Sequence, residues 1–213
     1  MSRRSLYRRL SLFVSSRARR GQSLVEFTVL LPVLLIMISG LIEFGFMLNY
    51  YLDLIDAARE ATRWAASDDP VHDISGTWVD PNPSFYSEVQ DVALDSINIG
   101  SGGQISLDPA TDDVIISSFP VSGGTITTRY PGGSCAGTGY PLYGNDASAF
   151  TCAEVQALLD PSAPNTGIVM VEIYYDYHML LGLPWITAFV PDPVTLYAYT
   201  MMPNPNVEPT PTP

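Results

Sequence analysis

The chain has 213 residues, of which 46% are hydrophobic and 15% are charged, and its formal net charge is −12. This length allows one modest domain beyond a membrane segment. The charge is divided sharply, because residues 1–21 hold seven Arg and no acid, whereas residues 22–213 hold three Arg and all 22 acids. An acidic body repels phosphate groups, so the composition argues against nucleic acid as a partner.

Residues 1–21 are predicted to be a basic leader without packed structure, and a long apolar segment follows. From Phe27 to Leu48 the only ionisable residue is Glu43. A helix of this length measures ~33 Å at ~1.5 Å per residue, enough to cross the ~30 Å hydrocarbon layer of a membrane. The positive-inside rule then places the N-terminus in the cytoplasm and the acidic bulk outside. This predicts a single-pass protein of the cytoplasmic membrane, in contact with lipid.

Glu26 needs a partner, since an acid beside a lipid-facing helix costs roughly 3 kcal/mol unless it is neutralised. Cleavage after Gly21 would make Gln22 a new N-terminus, and Glu26 would then be the fifth residue. The new α-amino group could pair with that carboxylate, on the same subunit or on a neighbour. An uncleaved signal anchor stays open as the alternative.

Two segments carry a family resemblance: Gly21–Phe27, with the sequence GQSLVEF and followed by Pro32, and Ala57–Ala66, with the sequence AAREATRWAA. Together they resemble the TadE/TadG-like pseudopilins of tight-adherence pilus systems, although that family often has Gly where this chain has Ala61. The resemblance implies a prepilin peptidase that cuts between Gly21 and Gln22, and a role of Glu26 and Phe27 in processing and assembly. It also implies other pilins or pseudopilins and the pilus assembly platform as partners.

Past the span the helix is predicted to continue, giving one helix over residues 22–66 that starts near Ser23. Its apolar residues recur at spacings of four and three, which marks one covered face: Tyr50, Leu54, Ala57, Ala61 and Trp64. The segment Ser67–Pro70 ends the helix. Residues 67–202 are then the extracytoplasmic domain.

Within this domain the pattern predicts a short helix from Pro83 to about Ala93. Strand candidates follow at Gln104–Leu107, Val114–Ser118 and Thr125–Arg129, the last two joined as a hairpin. Residues 130–151 are expected to be an irregular loop, and Ala153–Leu159 a short helix.

The clearest strand signals lie near the C-terminus. Alternating apolar residues predict strands at Gly167–Tyr177 and Val194–Met201, which we pair as antiparallel neighbours. The connection Leu180–Val190 is unusually apolar; it either folds onto the domain or enters the outer leaflet, or else it docks another pilus component. Residues 203–213 are expected to form an extended Pro-rich tail. The predicted fold class is α+β, a long N-terminal helix packed on a small antiparallel sheet.

Cys135 and Cys152 are the two cysteines of the chain. An extracytoplasmic location permits a disulfide, worth ~3 kcal/mol for a loop of about this size. We expect a structural bridge; a redox or metal site is the alternative, but no His lies between the two cysteines to complete a ligand set.

No arrangement of residues predicts catalysis, and we expect neither an enzyme nor a cofactor. His72 and His178 belong to no recognisable motif. The acidic segment Asp108–Asp113 could ligate calcium, but it lacks the order of an EF-hand loop and is expected to be a solvated turn. The favoured function is a pilin-like structural role. The alternative is an uncleaved, membrane-anchored binding module for carbohydrate or protein.

Overall fold

The computed structural model describes residues 4–73, 75–159 and 165–208, with side chains from Gln22 onward. The elements in chain order are α1 (Arg4–Ala65), α2 (Pro83–Gly100), β1 (Asp113–Phe119), β2 (Val121–Ser122), β3 (Thr125–Ile126), β4 (Tyr140–Pro141), α3 (Cys152–Ala157), β5 (Gly167–Tyr177), α4 (Pro184–Thr187) and β6 (Val194–Asn204). The chain forms two compact units. The first unit holds α1 up to Phe46 together with Met179–Pro191, and the second holds Met47–His178 and the chain from Asp192 onward.

Helix α1 is 62 residues long and contains Pro32. The predicted end is correct to one residue, but the predicted start at Ser23 is wrong, because the backbone is already helical at Arg4. Between Arg4 and Arg20 there is neither Pro nor Gly, and Arg and Leu are good helix formers. Gly21 alone costs only about 1 kcal/mol in a helix interior, too little to end it. The packing of the leader side chains lies outside the described residues.

In the first unit, α1 presents a largely apolar and exposed surface. Its exposed large side chains are Leu24, Val25, Phe27, Val29, Leu30, Val33, Leu34, Leu35, Ile36, Met37, Ile38, Leu41, Ile42, Phe44 and Phe46. Among the described residues, α1 from Gln22 onward is the one helix long and apolar enough to cross a membrane. A membrane anchor at this position is consistent with the span predicted at 27–48.

The second unit is built on a four-stranded antiparallel sheet with the strand order β4-β1-β5-β6. Strands β5 and β6 pair over their full length, with Ile173 opposite Ala198. Strand β1 lies on the other side of β5, with Ile116 opposite Val171. This confirms the predicted pairing of the two C-terminal strands, and the long helix with its small antiparallel sheet confirms the α+β class.

The core of the second unit includes the face of α1 that the residue spacing predicts. Leu54, Ala57 and Ala61 are fully buried, and the Tyr50 ring packs against Tyr177 with 5.2 Å between centroids. Each large apolar side chain that is fully buried stabilises the fold by about 1.5–3 kcal/mol. Trp64, the last member of the predicted face, is only half-buried.

Helix α2 extends further than predicted. It continues to Gly100 instead of ending near Ala93, because Ala93 and Ile97 prolong its buried face. The segment Gln104–Leu107, predicted as a strand, has no strand structure. Its apolar residues are instead buried from within a loop.

The predicted hairpin between Val114–Ser118 and Thr125–Arg129 is also wrong. Strand β1 pairs with β4 and β5, and the hairpin is the small β2–β3 pair on either side of Gly123 and Gly124. Both glycines have positive φ, 59° and 73°, which the tight two-residue turn between paired strands requires. The alternating pattern identified the strand residues but could not choose their partners.

Residues 203–208 pack on the domain and do not form the expected extended tail. Strand β6 continues to Asn204, whose side-chain amide donates to the carbonyls of Ala65 at 2.9 Å and Asp68 at 2.8 Å. Val207 is buried in a cluster with Val71 and Tyr130. One buried apolar residue and one polar cap thus fix a segment whose Pro content alone suggests a tail. Residues 209–213 lie outside the described residues.

Candidate functional site

The residues predicted for processing and assembly lie together on α1. Gln22, Glu26 and Phe27 are all exposed, and the Gly21–Gln22 bond lies inside the helix. The side-chain amide of Gln22 donates to a carboxylate oxygen of Glu26 at 3.1 Å, one helical turn away. Glu26 therefore contacts the residue that cleavage after Gly21 would make the N-terminus.

The direction of helical side chains adds to this arrangement. The Cα–Cβ bonds of a helix tilt toward its N-terminus, so the Glu26 side chain leans back over the turn that contains Gln22. After cleavage Gln22 would begin the helix, and both its positive amine and the N-terminal end of the helix dipole would then favour the Glu26 carboxylate. The site can thus hold one carboxylate against one amine.

A second polar group of the first unit is Glu43, to which the sequence assigned no role. Glu43 is 6% exposed, and its carboxylate accepts the backbone N–H groups of Leu180 at 2.9 Å and Leu181 at 2.8 Å. One turn earlier, Ser39 accepts the indole N–H of Trp185 at 3.0 Å. The sequence did carry a signal for this site, because an ionisable residue within an apolar span is usually paired with another polar group.

Cys135 and Cys152 form a disulfide with 5.6 Å between their Cα atoms. Cys152 begins α3, one residue before the predicted start of that helix, and Thr151 and Glu154 close its first turn with reciprocal hydrogen bonds. The bridge joins the loop after Tyr130 to α3, beside the buried Phe119. Both cysteines are used in this bond, which leaves neither as a free thiol.

Asp113 also stabilises this loop, through hydrogen bonds to its backbone. Its buried carboxylate accepts the backbone N–H groups of five successive residues, 142–146, at 2.8–3.1 Å. Asp112 is also buried and accepts the backbone N–H groups of Asp108 and Asp176. The predicted solvated turn is therefore wrong for these two acids. Within the described residues, no group of three or more His, Cys, Asp or Glu is placed to hold a metal ion.

Arg129 and Glu172 are two buried charges that the sequence did not single out. The Arg129 guanidinium donates to the carbonyls of Gly137 and Phe150 and to the Ser148 hydroxyl, and burial lowers its pKa while Glu172 opposes that shift. Glu172 accepts the N–H of Ala149 and the Tyr197 hydroxyl. Four hydrogen bonds from this pair therefore end on residues 137–150, so these charges serve the loop's structure.

The two histidines form local contacts with acids. The Nδ1 atom of His72 lies 2.9 Å from Asp69, and that of His178 lies 3.3 Å from Asp192. The His72 ring also meets the Trp78 ring edge-on, with 5.3 Å between centroids. These contacts tie short segments of the chain together.

Comparison with known proteins identifies a family that matches the N-terminal helix. The family model described as TadE-like protein matches residues 21–63. The match begins at the glycine of the predicted cleavage site and includes both Glu26 and Glu43. It confirms, for this segment, the resemblance seen in the sequence. No curated protein and no solved structure matches the chain.

Proposed function

We propose that this protein, whose residues 21–63 are TadE-like, is a membrane-anchored pseudopilin that takes part in the assembly or adhesion of a tight-adherence pilus. One observation carries the proposal: the family match, the exposed apolar helix and the contact between Gln22 and Glu26 coincide in one segment. So large an apolar surface requires lipid or the apolar helices of other subunits.

In the proposed maturation, a prepilin peptidase cuts after Gly21 and removes the leader with its seven Arg. Gln22 then carries the new α-amino group, which pairs with Glu26. Pairing offsets the roughly 3 kcal/mol that an unpaired acid costs within a membrane. The amine of a neighbouring subunit can satisfy Glu26 in the same way, which would couple this carboxylate to assembly.

The proposed orientation follows the charge distribution. The basic leader stays in the cytoplasm, and the acidic domain faces the exterior. The disulfide suits an oxidising compartment outside the cytoplasm. The proposed role is structural and not catalytic, in line with the buried Asp113, both of whose carboxylate oxygens accept hydrogen bonds from residues 142–146. The proposed partners are the peptidase, other pilins or pseudopilins, and the assembly platform.

The test is the intact mass and N-terminal sequence of the protein recovered from membranes, with and without a co-expressed prepilin peptidase. We expect a chain that begins at Gln22 only when the peptidase is present. A Gly21→Val variant, with a branched side chain before the scissile bond, should stay uncut. A chain that begins at Met1 under both conditions would contradict the proposal.

The role of Glu26 is tested separately with Glu26→Gln, which keeps the shape of the side chain and removes its charge. We expect fewer pili, counted by electron microscopy of the host strain. The matched control is Glu88→Gln, an exposed acid on α2, which should leave pilus number unchanged. Unchanged processing and piliation in Glu26→Gln would remove Glu26 from the mechanism.

One observation favours the alternative of an uncleaved anchored binding module. Four aromatic rings follow one another along the sheet, with neighbouring centroids 4.7–5.7 Å apart: Tyr174, Tyr197, Tyr199 and Phe150. Tyr199 is 45% exposed, and aromatic rings of this kind provide contact area for carbohydrate or protein ligands. An uncut chain that binds a glycan array through Tyr199 would support this alternative over the pseudopilin.

A further inference from the structure

The segment Met179–Pro191 has the composition of a membrane-embedded loop. Its thirteen residues, MLLGLPWITAFVP, include no Asp, Glu, Lys, Arg or His. The residues on either side, His178 and Asp192, are polar and contact one another at 3.3 Å. An uncharged loop thus begins and ends at one polar contact.

The large side chains of this loop are exposed. Phe189 is 88% exposed and Leu180 54%, and the other exposed members are Leu181, Trp185 and Val190. An exposed apolar patch on a protein surface normally contacts another protein, a ligand or lipid. Something apolar must therefore cover these side chains in the working protein.

Three hydrogen bonds attach the loop to α1 within the same unit. Glu43 accepts the N–H groups of Leu180 and Leu181, and Ser39 accepts the Trp185 indole N–H. Glu43 and Ser39 are the buried residues between Gln22 and Phe46 of the helix. We call these three hydrogen bonds the latch.

The depth of the latch follows from the helix itself. Ser39 lies twelve residues and Glu43 sixteen residues after Phe27, or ~18 Å and ~24 Å along the axis at ~1.5 Å per residue. Both distances are shorter than the ~30 Å thickness of the hydrocarbon layer. If the span begins at Phe27, the residues that bond to Ser39 and Glu43 lie inside the bilayer too.

The backbone N–H groups of the loop are also hydrogen-bonded in a way that suits the interior of a bilayer. A backbone N–H group without a hydrogen-bond partner costs several kcal/mol in lipid. Seven residues of the loop avoid this cost because they donate their N–H within the unit: Leu180, Leu181, Ile186, Thr187, Ala188, Phe189 and Val190. Pro184 and Pro191 have no N–H to satisfy. A loop in water has no need of this, because water would bond to its N–H groups.

We propose that Met179–Pro191 lies in the outer half of the bilayer as a second membrane-embedded segment, with its apolar side chains against lipid. The latch holds it to α1. The loop bonds to Ser39 and Glu43 in a stretch of α1 whose large apolar side chains are exposed, and this selects lipid over another pilus protein as the occupant. The inference rests on the membrane anchoring in the proposed function and is independent of leader cleavage.

The latch gives Glu43 a role that differs from that of Glu26. Two charge-assisted hydrogen bonds from backbone donors stabilise its carboxylate where water is absent. In return, Glu43 satisfies two N–H groups that no regular secondary structure would pair. The Glu43 carboxylate and the two N–H groups thus satisfy one another, and none of them is left unpaired in lipid.

The test places a nitroxide spin label on the full-length protein in phosphatidylethanolamine–phosphatidylglycerol vesicles. Labels are attached at Phe189→Cys, at Leu41→Cys on the exposed surface of α1, and at Glu88→Cys on α2; the native cysteines are bonded and do not react. Power saturation compares contact with oxygen, which enters lipid, and with a nickel chelate, which stays in water. We expect the label at 189 to match that at 41, rich in oxygen and poor in nickel.

The other outcomes each overturn a defined part. A label at 189 that matches the one at 88 places the loop in water. A label at 189 shielded from both reagents places it against protein, such as a second copy of the chain. A label at 41 that contacts nickel overturns membrane anchoring itself, and with it this inference.

The latch is tested with the label at 189 in a Glu43→Leu background. In Glu43→Leu the N–H groups of Leu180 and Leu181 lose their acceptor, and nickel contact of the label at 189 should rise at least twofold. Glu43→Gln keeps one acceptor oxygen and should have a smaller effect. Glu60→Leu, an exposed acid further along α1, is the control and should change nothing. Unchanged contact in Glu43→Leu would remove the latch and leave the loop's location as measured.

Discussion

The carboxylate of Asp113 accepts the backbone N–H of Gly144 at 2.9 Å, across 31 residues of the chain. The same carboxylate also accepts the N–H groups on both sides of Gly144 in the chain. A loop without regular structure is therefore shaped around one buried acid. A side chain of β1 thus holds five successive backbone N–H groups of this loop.

Replacement of Asp113 by Asn should destabilise the protein by about 3 kcal/mol, because an amide offers one acceptor oxygen and sets N–H donors against N–H donors. The measurement is the free energy of unfolding from urea titration in detergent micelles, followed by near-ultraviolet circular dichroism. Asp91→Asn, at an exposed position on α2, should stay within about 0.5 kcal/mol of the wild type. Equal effects of the two substitutions would show that the loop needs no buried acceptor.

Loss of the disulfide should lower stability by about 3 kcal/mol, mainly because the unfolded chain gains freedom. For a chain of this size that corresponds to a fall in Tm of about 6–12 °C. The double variant Cys135→Ala/Cys152→Ala should show this fall without reductant, and the wild type should show it with reductant. A Tm that responds to neither treatment would show that the bridge adds no stability to the fold.

The pH dependence should differ between two acids. Burial, and then repulsion from Asp113, Asp176 and Asp112, raises the pKa of Asp146, so its ionisation above that pKa opposes folding. Asp146→Asn should therefore stabilise the protein at pH 7, and the gain should shrink as the pH falls through the raised pKa and be absent below about 3.9. Urea titrations at several pH values give the measurement.

Asp73 provides the contrasting case. Hydrogen bonds from Ser75, and then from Thr77, lower its pKa, so its ionised form favours folding above about pH 3.9 and the benefit is lost as the pH falls through its lowered pKa. Asp73→Asn should destabilise the protein at pH 7 and have less effect in acid. The same sign of change at pH 7 in both variants would contradict the assignment.

Removal of both buried charges, Arg129 and Glu172, should cost less than the sum of the two single removals. Arg129→Met leaves Glu172 without its nearby positive charge and should cost about 3–5 kcal/mol. In Arg129→Met/Glu172→Gln the loss should be smaller than the sum of the single losses by at least about 1 kcal/mol. Arg59→Met, at an exposed ion pair, should change stability by less than about 1 kcal/mol. Additive losses would show that Arg129 and Glu172 act independently.

The parts of the fold that could be predicted are those set by local pattern. The spacing of Leu54, Ala57 and Ala61 identifies the buried face of α1, and the alternation after Gly167 identifies β5, since helix and strand periods depend on neighbouring residues alone. The family segment around Glu26 was equally visible, because its residues are contiguous.

What could not be predicted depends on contacts between distant residues. Asp113 looks like part of a solvated acidic turn, because its N–H donors come from residues 142–146. Glu43 looks like an isolated acid, because its partners at Leu180 and Leu181 are more than 130 residues away. From the apolar composition of Leu180–Val190 we predicted that it folds onto the domain, enters the outer leaflet or docks another pilus component, but the sequence could not identify Ser39 and Glu43 as its partners on α1.

The cap that Asn204 places on the end of α1 has a consequence for how the chain reaches its folded state. The carbonyls of Ala65 and Asp68 can accept this hydrogen-bonded cap only after Asn204 has been synthesised, about 140 residues later. Pairing of β6, the last strand, is needed at the same time. The anchor helix can therefore enter a membrane early, while the domain behind it stays open until residue 204 has emerged, and in that interval its unpaired strands are open to chaperones and to neighbouring chains.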